Sequence, residues 1–202
     1  MTSPVFEAGL ELRAEGDGTR RLKGRFPYKK RAVIDSGGGG RRPKKEEFGP
    51  SAFSFAVDDP ERDIHLLIGH SFDRPLASKK AGTLILRDSA AALDFEAILT
   101  TDILRATWTQ DFLAAYAAGL VGGISPGFRV APPEAVPVPE ETVDEDPREG
   151  NALIRTILAA VLFELSMVTR PAYHETEADL RAFDPTCERS AARYRQAHSR
   201  WR

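Results

Sequence analysis

The chain has 202 residues, 42% hydrophobic and 29% charged, a composition typical of a globular protein large enough to bury a core. Its formal net charge of −2 gives no overall attraction to nucleic acid or to an anionic membrane. The single cysteine, Cys187, excludes an internal disulfide and a cysteine-based zinc site, and it fits a reducing compartment. No apolar run approaches the roughly 20 residues of a membrane span and the N-terminus lacks a signal-peptide pattern, so we expect an intracellular soluble protein.

The charges are strongly segregated along the chain. Residues 20–45 hold eleven Lys or Arg and one acid, whereas residues 134–149 hold seven acids and one base. The basic stretch contains a run of four glycines, but it lacks the Lys-Ser/Thr of a phosphate-binding P-loop, so we interpret it as a flexible loop between two strands. Five prolines and seven acids in residues 131–150 predict an exposed loop rather than a helix or a central strand.

The elements before the acidic segment follow two periodicities. "RAVIDS" (31–36) and "DIHLLIGH" (63–70) predict strands, and "GTLILRD" (82–88) with "ALDFEAIL" (92–99) predicts a hairpin. Apolar residues at helical spacing predict a helix over residues 110–118, with Thr109 as its cap and Gly119 at its end.

The C-terminal part begins with a long apolar run, "ALIRTILAAVLFELSMV" (152–168). Periodicity alone allows a buried helix, but its β-branched residues favour a strand, at least from Val161 on. We expect a short helix over residues 172–183. The predicted organisation is an N-terminal extension (1–19), one domain (20–180) and a basic C-terminal tail (181–202).

The stretch "GGISPGF" (122–128) matches G-x-S-x-G, the nucleophile elbow of α/β-hydrolases. Pro126 prevents the helix that must follow such a serine, and alternating β-α units are absent, so we interpret the match as a glycine-rich turn. Ser125 can still be a nucleophile if a base lies beside it. His70 follows a strand and can face a cleft, whereas His65 lies within a strand and His174 and His198 lie near the C-terminus. The residues alone favour a turn serine and an exposed loop histidine.

Six segments in chain order carry recognisable motifs. They are "RRLKGRFPYKKRAVI" (20–34), "EEFGPSAF" (46–53), "HLLIGHSFDRPLAS" (65–78), "AGTLILRDSAAALDFEAIL" (81–99), "ISPGF" (124–128) and "FELSMVTRPAY" (163–173). No single motif is specific, but the six in this order and spacing are. Together they resemble the prohead proteases of tailed bacteriophages and gene transfer agents, relatives of the herpesvirus assemblins.

The resemblance implies a mainly β fold with helices, an assemblin-like β-barrel flanked by helices, and a serine protease site. His70 matches the family's catalytic histidine and Ser125 its nucleophile. Assemblins use a second histidine as the third member; here Glu164 on the predicted strand is our choice, with Asp73 as the alternative. By analogy with assemblins, the backbone of Arg170 supplies the oxyanion donor.

The chain departs from the family pattern at three places. Ser71 stands where an aspartate commonly follows the histidine, "FGPSAF" carries an extra residue, and the acidic proline-rich loop is long. None of these changes removes a proposed catalytic side chain. They affect the expected loop geometry and segment boundaries.

The resemblance further implies the partners. The expected substrates are the scaffold region of the major capsid protein and the protease itself, inside the immature capsid in the host cytoplasm, with self-association there. We expect no metal, no cofactor, no membrane partner and no specific nucleic acid. Two rival functions are a non-catalytic capsid-assembly protein on the same barrel and an esterase-like serine hydrolase.

Overall fold

The computed structural model describes residues 10–171, which contain twelve strands in three four-stranded sheets. The strands are β1 (Glu11–Ala14), β2 (Arg20–Pro27), β3 (Ala32–Asp35), β4 (Lys44–Phe48), β5 (His65–Ile68), β6 (Ser71–Ser78), β7 (Leu84–Asp88), β8 (Ala92–Leu99), β9 (Gly123–Val130), β10 (Glu140–Asp144), β11 (Leu153–Ile157) and β12 (Ala160–Val168). The predictions for residues 172–202, a short helix and a basic tail, lie outside the described residues.

The first sheet has the strand order β1-β2-β8-β7 and is antiparallel throughout. The predicted hairpin is confirmed, because β7 and β8 pair directly. Every second residue of β2, from Leu22 through Gly24 to Phe26, is buried, which is the period of a strand with one face on the core. The β1 strand comes from the segment predicted to be an N-terminal extension, and it pairs along β2.

The second sheet, in the order β10-β11-β4-β3, brings the basic and acidic segments together. The glycine-rich loop connects β3 to β4, as predicted. The acidic segment is not only a loop, because its residues Glu140–Asp144 form β10, an exposed edge strand. Ion pairs then cross the sheet, from Arg42 to Asp144 (2.6 Å) and from Lys45 to the buried Glu145 (2.6 Å). Part of the charge that is segregated in sequence is therefore paired across this sheet.

The third sheet, in the order β6-β5-β12-β9, carries the candidate site. Its central strand β12 runs parallel to β5 and antiparallel to β9. The apolar run 152–168 is therefore strand rather than helix, as predicted from Val161 on, and it also contains β11. Crossing connections of this kind bring segments distant in sequence, such as those around residues 70, 125 and 164, into one sheet.

The helices within residues 10–171 are few and short. They are α1 (Ser54–Val57), a 3₁₀ turn (Ile103–Arg105) and α2 (Thr107–Ala117). The predicted helix over residues 110–118 is confirmed as α2, but it begins three residues earlier. Ala106 is at the cap position, so the prediction for Thr109 is wrong, and Thr109 is buried inside the helix. Gly119 ends the helix in the left-handed conformation (φ +73°), as its lack of a Cβ allows.

The core contains a cluster of aromatic rings from four segments. Phe48 packs against Phe53 and Phe128 with ring centroids 4.9 Å apart in each case, and Phe26 lies 5.4 Å from Phe48. Such contacts add to the burial of apolar surface. The mainly β class with helices is confirmed. The ladders of residues 10–171 form separate sheets that do not close into one barrel, so the barrel remains a prediction. No helix in this range is long and apolar enough to cross a membrane.

Candidate active site

Ser125 lies on the edge strand β9, not in a turn as the sequence predicted. Its neighbours Gly123, Pro126 and Gly127 are typical of turns, but an edge strand tolerates a proline because one side of its backbone has no ladder to complete. Ser125 is 9% exposed and pairs across the ladder with Ser166 of β12. The G-x-S-x-G stretch is therefore a strand that presents its serine to one face of the third sheet.

A β-bulge at Phe163 decides which side chains share that face. Leu162 pairs with Phe128, whereas Glu164 pairs with Gly127, so one extra residue of β12 lies between the two pairs. In a regular strand Leu162 and Glu164 would share a face; the bulge moves them to opposite faces. Leu162 therefore packs in the core, and Glu164 joins the face of Ser125.

The β5–β6 turn carries His70 to the same face. Gly69 (φ +60°) and His70 (φ +59°) are the two central residues of a tight hairpin turn, which requires positive φ at both. The turn is tied to β12, because the Gly69 N–H donates to the Met167 carbonyl at 3.0 Å and the His70 N–H donates to Ser166 Oγ at 2.9 Å. The left-handed conformation of His70 is held by these bonds.

His70 and Glu164 are in direct contact. The distance from His70 Nδ1 to Glu164 Oε1 is 2.8 Å, and the side chain of Glu164 is 4% exposed while that of His70 is 49% exposed. An ionised carboxylate can only accept, so opposite it the Nδ1 atom carries the hydrogen, and in the neutral imidazole Nε2 then keeps a lone pair that can take up a proton. This is the orientation in which an imidazole acts as a general base and a carboxylate stabilises its charged form.

Ser125 completes the group of predicted residues without a hydrogen bond to the imidazole. Ser125 pairs across the ladder with Ser166, and Ser166 is hydrogen-bonded to both His70 and Glu164. Ser125 is therefore next to the residue that links the pair. No hydrogen bond within residues 10–171 joins the Ser125 side chain to the His70 ring. In enzymes without bound substrate such bonds are often long and shorten only in the substrate complex.

Arg170 lies just beyond β12, on the side where β9 begins. Val168, the last residue of β12, pairs with Gly123, and Pro171 then packs over that glycine. A Cβ atom on Gly123 would lie 2.4 Å from Pro171 Cδ, so the close approach requires glycine. Arg170 is exposed. Its backbone belongs to the segment that packs against β9 at Gly123, two residues before Ser125.

The alternative side chains have other positions. Asp73 is exposed on β6, and the carboxylate that contacts His70 belongs to Glu164. His65 Nε2 lies 3.4 Å from Asp63 Oδ2, and the His65 ring packs edge-on against Phe72. His174, His198 and Cys187 lie outside the described residues. Within residues 10–171 there is no group of three or more His, Cys, Asp or Glu side chains arranged to hold a metal ion.

Sequence reasoning missed Ser166 and Gly127. Ser166 lies two residues after Glu164 in "FELS", the spacing that puts two side chains on one face of a strand, and this was the available signal. Gly127 faces Glu164 across the ladder, which depends on the bulge and could not be read from the sequence. Both residues directly adjoin the His70–Glu164 pair.

A histidine held by a buried carboxylate, beside a strand serine, is the arrangement expected of a serine hydrolase. Comparison with family models identifies the protein family: the model of the caudovirus prohead serine proteases matches residues 35–189. The match covers well over half of the chain, and the chain belongs to this family of phage serine proteases. No curated protein and no solved structure matches it.

Proposed function

We propose that the protein is a serine endopeptidase that cleaves the scaffold region of the major capsid protein, and itself, during prohead maturation. The observation that carries the proposal is the 2.8 Å contact between His70 Nδ1 and the buried Glu164, in a member of the prohead protease family. Family membership supports the peptidase class. The contact supports His70 as the general base that a serine nucleophile needs.

The reaction proceeds through an acyl-enzyme. Ser125 Oγ attacks the carbonyl carbon of the scissile bond while its proton passes to His70 Nε2. The tetrahedral adduct collapses, the C–N bond breaks, and His70 returns the proton to the leaving amine. Water then attacks the ester, with His70 again as the base, and releases the carboxylic acid and Ser125. Throughout, Glu164 keeps the imidazole in the required tautomer and stabilises its positive form.

The developing oxyanion needs preorganised donors, each of which is worth about 2.7–4 kcal/mol where one has been removed from other enzymes. The backbone N–H of Arg170 is the donor that we propose, as part of the segment held against Gly123 by Pro171. The guanidinium of Arg170 has no assigned role in this step. Neither a metal nor a cofactor takes part in the proposed reaction.

The proposed setting is the interior of the immature capsid in the host cell. The protease associates there with the major capsid protein and with other copies of itself. Family membership supports an interaction with capsid proteins in the prohead. Several basic residues of segment 20–45, among them Arg21, Arg25, Arg42 and Lys45, pair with acidic residues of the chain, which argues against a general role in binding nucleic acid.

Co-expression with the neighbouring major capsid protein tests the proposal. Wild type, Ser125→Ala and the control Ser54→Ala, a serine outside the site, are compared by intact mass spectrometry of the capsid protein. A capsid protein shortened at its N-terminus with wild type and Ser54→Ala, but full-length with Ser125→Ala, is the expected result. Full-length capsid protein in all three, with shells still assembling, would indicate a scaffold protein instead. Fast turnover of small esters without peptide cleavage would indicate an esterase.

A further inference from the structure

We infer that Ser166 is a positioning residue that holds His70 and Glu164 in their reactive geometry. The inference rests on the proposed function and adds to the site a residue to which the sequence motifs gave no role. Ser166 lies near the C-terminal end of β12 and its side chain is completely buried. A polar group in that position must have hydrogen-bond partners, and the partners of Ser166 are the two residues on which the chemistry depends.

The Ser166 hydroxyl uses its donor and an acceptor site on different members of the pair. Its O–H donates to Glu164 Oε2 at 2.6 Å, and its oxygen accepts the backbone N–H of His70 at 2.9 Å. Because a hydroxyl has a single hydrogen, the direction of both bonds is fixed once the carboxylate is the acceptor. Ser166 thus links the side chain of Glu164 to the backbone of His70.

The first of these bonds orients the carboxylate. A glutamate side chain has three rotatable bonds, so one contact to His70 does not fix the plane of its carboxyl group. With Oε2 held by Ser166, Oε1 is directed to His70 Nδ1. Bonds to an ionised group are stronger than those between neutral groups, which suits this purpose.

The second bond holds the turn. His70 has a left-handed backbone (φ +59°), which is uncommon for a residue with a side chain, and half of its side chain is exposed. The bond from its N–H to Ser166 Oγ ties this residue to the central strand. Without the hydroxyl, a backbone N–H in the turn and a carboxylate oxygen in the interior would both lose a partner.

Ser78 provides a matched control on the same sheet. Its hydroxyl donates to Asp63 Oδ1 at 2.7 Å and accepts the backbone N–H of Ala81, in the turn after β6, at 3.2 Å. It therefore links a carboxylate to a turn N–H, as Ser166 does, but its hydrogen-bond partners do not include His70. Ser78→Ala removes the same kind of interaction and leaves the site in place.

The test compares the full-length wild type with Ser166→Ala, Ser78→Ala and Ser166→Thr, which keeps the hydroxyl. It uses two readouts. The first is the rate of covalent labelling by a fluorophosphonate, resolved into the maximal rate and the half-saturating concentration. The second is the NMR signal of the His70 Nδ1–H in ¹⁵N-histidine-labelled protein, assigned with His70→Gln. The NMR signal does not depend on turnover, so it separates failure of the positioning role from failure of the proposed function.

Ser166→Ala should lower the maximal labelling rate by roughly tenfold to a hundredfold, the cost of misplacing a catalytic group by about 1 Å. The half-saturating concentration should not change, the Nδ1–H signal should broaden or shift, and Ser166→Thr should restore both. Ser78→Ala should label at the wild-type rate. If wild type does not label but Ser166→Ala still alters the signal, the positioning role stands and the proposed function fails. A Ser166→Ala protein with wild-type rate and signal, or a folded Ser166→Thr protein as slow as Ser166→Ala, would overturn the inference.

Discussion

Glu164 and Gly127 face each other across the β12–β9 ladder, and a Cβ atom on Gly127 would lie 2.0 Å from Glu164 Oε1. That oxygen is the one in contact with His70 Nδ1. The absence of a side chain at residue 127 therefore creates the space in which the buried carboxylate lies. The opposing pair ties the strand of the nucleophile to the residue that orients the base.

Gly127→Ala should consequently displace the carboxylate and impair catalysis. We expect the rate of capsid-protein cleavage to fall at least tenfold, since a shift of about 1 Å in a catalytic group can cost a hundredfold. Gly16→Ala is the matched control, because a Cβ atom there would meet no atom within 4 Å. Equal cleavage rates for the two variants would contradict the assigned role of Gly127.

Glu164→Gln keeps the shape of the side chain and removes its charge. Both of its partners donate, Ser166 through its hydroxyl and His70 through Nδ1–H, whereas an amide has only one accepting oxygen. We expect cleavage to fall by about 10²–10⁴-fold, as in other triads that lose the orienting carboxylate. Glu141→Gln removes the same charge from an exposed residue of β10, and this variant should cleave at the wild-type rate. Equal cleavage rates for Glu164→Gln and Glu141→Gln would refute the role of Glu164.

The Arg170 segment should tolerate loss of its side chain but not displacement of its backbone. Arg170→Ala retains the backbone N–H, so cleavage should stay within about threefold of wild type, well under the cost of losing an oxyanion donor. Gly123→Ala places a Cβ atom 2.4 Å from Pro171 Cδ and should move the segment, with a loss of at least tenfold by the same reasoning. A severe defect in Arg170→Ala would show that the guanidinium itself is needed.

The pair of Lys45 and Glu145 should make stability depend on pH. The hydrogen bond from Lys45 holds the pKa of the Glu145 carboxyl below its usual value near 4.5, against the opposing effect of burial. A carboxyl with a lowered pKa in the folded state stabilises the fold above its usual pKa, and this contribution is lost as the pH falls through the lowered value. Glu145→Gln should cost about 1.5–3 kcal/mol at neutral pH, the range for hydrogen bonds to charged groups.

Urea unfolding of wild type and Glu145→Gln at a series of pH values measures that difference. The two free energies of unfolding should converge as the pH falls below about 4.5, the usual value of the carboxyl. Asp144→Asn serves as the control, because Asp144 is 74% exposed and its pair with Arg42 is worth little. A constant difference at every pH would mean that Glu145 acts by packing and not by charge.

Much of the fold could be predicted because local pattern and tertiary context agree there. The alternation in "ALDFEAIL" and the helical spacing in "QDFLAAYA" became β8 and α2. Where they disagree, the prediction failed. Ser125 lies between glycines and a proline that favour a turn, and only pairing with β12 makes this segment a strand. The proline-rich acidic segment likewise forms β10 because a partner strand and basic side chains are available.

The site was predictable only through motifs that the sequence shares with a family. His70, Ser125 and Glu164 lie in recognisable segments, and the structure brings the first and the last into contact. Ser166 could have been placed beside Glu164 from the two-residue spacing in "FELS". The position of Gly127 follows from the register of β12 against β9, which the bulge at Phe163 shifts by one residue. A one-residue shift of register changes the face of every later side chain, and no local pattern announces it.

The most direct measurement is to map the site of covalent modification. Full-length protein is treated with a fluorophosphonate and digested, and the modified peptide is sequenced by mass spectrometry for wild type, His70→Ala and Ser125→Ala. We expect a single adduct on Ser125 in wild type, strongly reduced in His70→Ala and absent from Ser125→Ala. An adduct on another residue, or equal labelling of Ser125 with and without His70, would contradict a Ser125 nucleophile activated by the His70–Glu164 pair.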